Sequence, residues 1–338
     1  MLFRWNLRAC FQRQAFDSPQ KGRNGLKEAH LFFCAGIAVG VLLFREPLET
    51  LTVLVRKSEL YSHIPLIPAV SLYFLWIDRS KIFASATRER LLGLAFAVVG
   101  LGLYLAGYVF QSALGTVSFR GGELPNDFLS LAQAGFLFWI YGCFLAAYGR
   151  SSFLKALFPL GFLLFMIPLP VFAADLLIQA LQHASAELSH AIFSLLGVTY
   201  HRSGLNFEFA NLTVYVAEEC SGIRSSMALF ILSVLAGRLF LSRLRGKILL
   251  AAAVFPIAVV KNAFRIVLIT LLANYVDLRF VSSHWLHSMG GMPFFLVALL
   301  LLAPVAWVLR KTETETIGKP KPQDCGKEEG DLFRVTEQ

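Results

Sequence analysis

The sequence predicts an all-α membrane protein with about eight transmembrane helices, a short extracytoplasmic surface helix and a β-hairpin. Three observations carry that expectation. Of 338 residues, 56% are hydrophobic and 16% charged, with a mean hydropathy of +0.62, whereas soluble domains run nearer ~45–50% apolar and ~25% charged. Apolar runs near residues 31–44, 64–77, 91–110, 128–148, 153–174, 222–241, 248–273 and 288–309 approach or exceed the ~17–25 residues of a bilayer crossing, the first two being short. Placing the N-terminus inside puts 22 of the 31 Lys and Arg in inner segments and 7 in outer ones, the positive-inside asymmetry that sets orientation. A water-soluble globule is excluded, and the net charge of +9 follows the topology rather than signalling nucleic acid.

Residues 1–29 are polar, basic and aperiodic, and residues 311–338 are rich in Lys, Glu, Pro and Gly. Both read as disordered cytoplasmic tails flanking one membrane domain over 30–310. The first apolar run has no small-residue cleavage site after it and reads as a retained anchor. The stretch 175–198 carries Asp175, Gln179, Gln182, His183, Glu187 and His190, which suits a surface-lying or re-entrant helix. Were it a ninth crossing, Arg238, Arg243, Arg245 and Lys247 would face outward, against the charge rule. Residues 199–218 alternate polar and apolar around Ala210-Asn211, the pattern of a small β-hairpin, and deliver the chain to Cys220. No internal repeat is evident, unlike the inverted repeats of many secondary transporters.

The five cysteines, at 10, 34, 143, 220 and 325, are odd in number without close pairing, so no disulfide framework is expected. Cys220 alone stands among polar residues at the outer surface, at the start of the sixth span. A helix N-terminus favours the thiolate and Arg224 adds positive charge, while Glu218 and Glu219 oppose it. In the seventh span Lys261, Asn262 and Arg265 interrupt an apolar helix, and intramembrane cations of this kind usually face a polar cavity. Arg265 lies 18 residues beyond Lys247, or ~27 Å along a helix, and so reaches the outer boundary. The eighth span follows His284 and His287, which share one face if helical, and Gly290 and Gly291, which permit close backbone approach. Helices 6, 7 and 8 thus present Cys, Arg and His at one depth. A thiolate nucleophile, an imidazole proton shuttle and a guanidinium at an oxyanion are the parts of acyl transfer from a peptide bond. Plainer readings stand beside each: a cysteine ending a hairpin, a snorkelling arginine, and an Asn262 that only joins helices. His63, before the second span, is a further outer polar residue, either interfacial or substrate-binding.

Taken together, Cys220-Ser221-Gly222-Ile223, Asn262 with Arg265 three later, and His287 followed by Gly291 and Phe294-Phe295 resemble the exosortase/archaeosortase family of multi-span membrane proteins. Tyr61-Ser62-His63 and Ile167-Pro168-Leu169-Pro170 extend the resemblance, which runs from about residue 30 to 309. It implies a cysteine peptidase or transpeptidase of the bacterial inner membrane, active at its outer face. The partners it implies are exported proteins ending in a short Pro-containing motif, a transmembrane helix and a basic tail. By that resemblance Cys220 is the nucleophile, His287 the acid/base and Arg265 the oxyanion or substrate-orienting group, with Asn262, Ser221, Gly222, His63 and His284 in supporting positions. His284 is a departure, a second histidine one turn before the one that has the expected Gly and Phe-Phe.

Two other classes compete. A zinc protease would use His284, His287 and either Cys220 or Asp277, but HxxH spacing is poor for two helical ligands and no HExxH occurs. A transporter or flippase would use Lys261 and Arg265 for an anionic substrate. No nucleotide, metal or flavin motif is present, so no cofactor is expected.

Overall fold

Seven of the eight apolar runs lie in helices of the computed structural model, which describes residues 20–114, 127–217, 221–276 and 291–317. The chain divides into two compact units, Met1–Val171 and Phe172–Gln338. In the first unit the described helices are α1 (Gln20–Leu43), α2 (Arg45–Lys57), α3 (Leu66–Ile77), α4 (Arg79–Ile82), α5 (Arg90–Leu114), α6 (Asp127–Lys155) and α7 (Leu157–Phe162), the last running into a 3₁₀ turn at Leu163–Met166. Among the described residues six helices are long and apolar enough to cross a bilayer, or seven if the broken segment from Leu157 to Leu195 crosses as one; α3 is shorter. The protein is an all-α, multi-span transmembrane protein.

α6 is the hub of the first unit, buried over 72% of its apolar stretch against 11% for α1 and 17% for α5. Glycine explains how α5 reaches it. Gly93, Gly100 and Gly107 on α5 and Gly135, Gly142 and Gly149 on α6 recur every seven residues, so each set forms one stripe on its helix. A Cβ on Gly100 would stand 2.5 Å from the Gly135 carbonyl, and one on Gly93 would stand 2.6 Å from the Gly142 carbonyl. Small residues at such crossings let helix backbones meet, and in lipid that van der Waals contact drives association. At Gly149 the backbone turns left-handed (φ 77°), kinking α6 where Thr87 N–H donates to Tyr148 O at 3.1 Å. A side chain there would run into the Thr87 carbonyl.

Buried polar side chains in this unit donate to backbone carbonyls. Ser71 reaches Pro159 O (2.7 Å), Ser130 reaches Pro168 O (2.9 Å), Gln133 reaches Pro47 O (3.0 Å) and Tyr141 reaches Leu160 O (2.8 Å). Three of those carbonyls belong to prolines. Each bond gives a buried hydroxyl or amide a backbone acceptor, which lipid cannot supply.

The second unit opens with α8 (Val171–Leu195), continues through the antiparallel sheet β1 (His201–Ser203), β2 (Asn206–Glu208), β3 (Thr213–Tyr215), and closes with α9 (Ile223–Phe240), α10 (Leu244–Ala252), α11 (Val254–Tyr275) and α12 (Gly291–Ile317). Ala186 and Phe193 of α8 pack with Phe207, Phe209 and Val216 around the sheet and with Ile266 and Val267 of α11. Arg202 on β1 grips Glu187 on α8 through two N–H donors at 2.6 and 3.1 Å. A second core joins Leu229 of α9, Leu250 of α10, Ile257 of α11 and Leu302 of α12.

Several boundaries differ from the sequence expectation. The run 153–174 is not one helix: α6 absorbs its start, and Pro168 and Pro170 break it over 167–170, before α8 begins at Val171. The expected hairpin is a three-stranded meander, because Gly204 at φ 62° adds a turn before the one at Ala210-Asn211. Between the first two apolar runs lies a further helix, α2, whose Pro47, Leu51 and Leu54 are buried on one face. Both tails expected to be disordered contribute helix, α1 from Gln20 and α12 to Ile317. At the latter end the Glu313 carboxylate accepts N–H bonds from Ser242 (2.7 Å) and Arg243 (3.2 Å) at the start of α10, which holds α12 in place beyond residue 310.

Candidate functional site

The candidate site lies where α9 begins. Gly222 is its N-cap in the left-handed region (φ 75°, ψ 14°), a conformation that favours glycine. Ser221, 1% exposed, precedes it, and its Oγ accepts the Ile223 N–H at 3.3 Å. Ser225 and Ser226 then donate back to the Gly222 carbonyl at 3.0 and 2.8 Å. The first turn of α9 is therefore tied down by its own hydroxyls.

α11 supplies the charge. Lys261 and Asn262 are buried, at 4% and 0% exposure. Lys261 Nζ donates to Ser225 Oγ, joining α11 to α9. A Cβ on Gly222 would lie 3.0 Å from Lys261 Nζ and 3.2 Å from Asn262 Oδ1, so the missing side chain lets the polar face of α11 reach the α9 start. Asn262 Nδ2 in turn donates to Ser185 Oγ of α8 at 3.1 Å. Three elements thus converge, α8 fixing Asn262, and Asn262 and Lys261 flanking Gly222.

Arg265 lies one helical turn past both, half-buried, and makes no hydrogen bond or ion pair with any described residue. The carboxylates of the second unit that have described partners are engaged elsewhere, Glu187 by Arg202 and Glu313 at the α10 start. Lys261 beside the start of α9, with Arg265 one turn further along α11, makes this a positive locality, suited to an anion or to charge that develops during a reaction.

Of the residues expected to act, Ser221, Gly222 and Asn262 come together here, and Arg265 follows one turn further along α11. Cys220, His284 and His287 lie outside the described residues, as do Glu218 and Glu219. His63 belongs to the first unit, at the turn leading into α3, where it is half-buried. Burial lowers its pKa from the usual 6.5, against hydrogen bonds with the Leu60 and Phe165 backbone that raise it. Sequence reasoning missed the hydroxyls of Ser185 and Ser225, and with them Ser189, which is fully buried one turn past Ser185 with no hydrogen-bond partner for its Oγ among the described residues. The signal was present: Gln182, Ser185 and Ser189 follow the three-and-four spacing of one helix face.

A family model described as transmembrane exosortase matches residues 30–304. The chain belongs to the transmembrane exosortase family. The matched span takes in Ser221, Gly222, Asn262 and Arg265, so the polar convergence at the start of α9 lies within the exosortase region of the chain. No curated protein and no solved structure matches it.

Proposed function

We propose that this exosortase is a membrane-embedded cysteine peptidase or transpeptidase that cleaves C-terminal sorting signals at the outer face of a bacterial inner membrane. Each signal would comprise a short motif, a transmembrane helix and a basic tail. The observation that carries the reading is the half-buried Arg265, which makes no hydrogen bond or ion pair with a described residue and follows one turn along α11 from the Lys261 and Asn262 that flank Gly222. In the chemistry proposed, the Cys220 thiolate attacks the scissile carbonyl, and the carbonyl oxygen becomes an oxyanion that Arg265 stabilises. His287 protonates the leaving amine as the thioester forms, and water or an amine then releases the acyl group. Asn262, held by Ser185, orients Arg265 or the substrate backbone. Ser221 and Gly222 set the direction in which the chain leaves Cys220.

Co-expression with a protein that ends in such a signal tests this. Cys220→Ala and Cys220→Ser are expected to abolish cleavage while the exosortase still accumulates, whereas Cys34→Ala and Cys143→Ala cleave normally. His287→Ala is expected to be inactive and His284→Ala to keep substantial activity. Normal cleavage by the Cys220 variants would remove the nucleophile assignment, and inactivity of His284→Ala alone would move the acid/base role one turn earlier.

A further inference from the structure

The first unit contains a cavity of about 1200 Å³ bounded by α1, α3, α6 and the segment around α4, larger than the ~300–1,000 Å³ typical of small-ligand sites. Its walls are apolar, with Phe33 from α1, Leu75 and Trp76 from α3, and Phe144 from α6. Its mouth is different: Arg79, Ser80, Thr87 and Arg88 gather there, with Glu28 beside them. These belong to the segment 78–90 that the charge pattern places on the inner side.

The two arginines are not equivalent. Arg88 is committed to Glu28 at 3.0 Å. Arg79 lies over the Trp76 ring, 4.7 Å from its centre, and donates one N–H to the Trp76 carbonyl at 2.8 Å. A guanidinium has five donors, so a held, oriented cation with N–H groups to spare stands at the polar end of an apolar chamber. Wall and mouth together describe an amphiphile with a long apolar part and an anionic head.

We propose that this cavity binds an anionic phospholipid of the inner leaflet, an acyl chain lying along Leu75, Trp76 and Phe144 and the phosphate on Arg79. The length of α3 gives it a reason to be there. Twelve residues span ~18 Å, against a hydrocarbon core of ~30 Å, so α3 alone cannot line the bilayer to its full depth. A lipid drawn in at its end covers the apolar wall that the helix leaves open. Charge argues against a basic-tailed substrate helix as occupant: the lining carries Arg79 and Arg88 against one carboxylate, Glu28, while Asp78 and Lys81 nearby offset each other, so the net positive charge repels a second basic tail.

The test uses the full-length protein in phosphatidylcholine liposomes containing equal mole fractions of phosphatidylglycerol or phosphatidylcholine probes with a photoreactive diazirine in the acyl chain, and peptide mapping of the adducts. Labelling of the Leu72–Arg79 peptide is expected to favour phosphatidylglycerol about fivefold, the effect of one cation near an anionic lipid. Arg79→Gln, at an exposed position, is expected to bring it down to the phosphatidylcholine level. Leu75→Trp, which fills the chamber, is expected to suppress labelling by both probes. Equal labelling by the two probes in the unaltered protein, a preference that survives Arg79→Gln, or crosslinking of a sorting-signal helix to this peptide would each overturn the proposal. Cleavage activity is not the readout, so the outcome is independent of the function proposed above.

Discussion

Among the described residues both units bond buried side chains to backbone carbonyls, as Gln182 does to Val216 O at 2.9 Å in the second, but buried charged side chains occur only in the second. In the first, Ser71, Ser130, Gln133 and Tyr141 donate to backbone carbonyls, so each bond is neutral and ends on a fixed acceptor. In the second, Lys261 and Asn262 of α11 donate to the hydroxyls of Ser225 and Ser185, and Arg265 engages no described side chain. A side-chain bond to a backbone carbonyl satisfies a buried donor without placing charge in the membrane. A chain of side-chain bonds that includes one buried ammonium and a guanidinium in reserve costs several kcal/mol to hold in a membrane, and such a cost persists where charge serves chemistry. In this sense the first unit reads as a scaffold, and the function proposed above draws on the second.

The contrast is most easily broken at the glycine crossing. Gly135→Val is expected to cause the largest loss of folded protein, because the new side chain meets the Gly100 carbonyl where neither backbone can withdraw; overpacking of this kind costs ~1–3 kcal/mol or more. Gly102→Val, which meets nothing within 4 Å, is the control and should accumulate normally. The yield of detergent-extracted, monodisperse protein measures both. Equal yields would show that close packing of α5 on α6 is not what supports the first unit.

Asn262→Ala sharpens the other side. It leaves Ser185 without its partner, a stability cost of ~1 kcal/mol, yet cleavage is expected to fall at least about tenfold because geometry near the reacting atoms is lost. Ser130→Ala in the first unit removes a bond of comparable length, costs about 0.6 kcal/mol by the membrane average, and is expected to leave cleavage unchanged. If these two variants affect cleavage equally, the distinction between scaffold and site collapses.

The smallest effect is expected at His63. Because its pKa lies below 6.5 in the folded protein, the unfolded chain binds more protons in the window beneath 6.5. His63 therefore contributes its full stability above about pH 6.5 and loses it as pH falls toward the folded value. Thermal unfolding between about pH 5 and 7 should show this slope, and His63→Asn should flatten it. An unchanged slope would mean that other groups titrate there.

Much of this was legible in the sequence because lipid leaves little choice: apolar runs become helices, and the polar residues of 175–198 set that stretch apart from the plain apolar runs. Lys261, Asn262 and Arg265 stood out since charge in an apolar run is conspicuous. What escaped notice was small or local. Serine is ordinary in any helix, so Ser185 and Ser225 had no signal until their partners were placed. The period-seven glycines look like scattered small residues until α5 lies against α6, and the break at Pro168-Leu169-Pro170 is hidden by the hydrophobicity on either side. Gly204 turns a hairpin into a meander through a single positive φ, which hydrophobic alternation does not encode.

The central claim is that the cationic pole of the second unit serves the reaction rather than the fold, and Arg265→Lys tests it most directly. Lysine keeps the charge but lacks the planar fork of paired donors, and loss of one oxyanion donor typically lowers rates by ~10²–10³. With Arg265→Lys and Arg265→Ala accumulating to the level of the unaltered protein, both are expected to leave a co-expressed signal-bearing substrate uncleaved. Near-normal cleavage by Arg265→Lys, with Arg265→Ala inactive, would contradict the account and assign Arg265 a charge-balancing role.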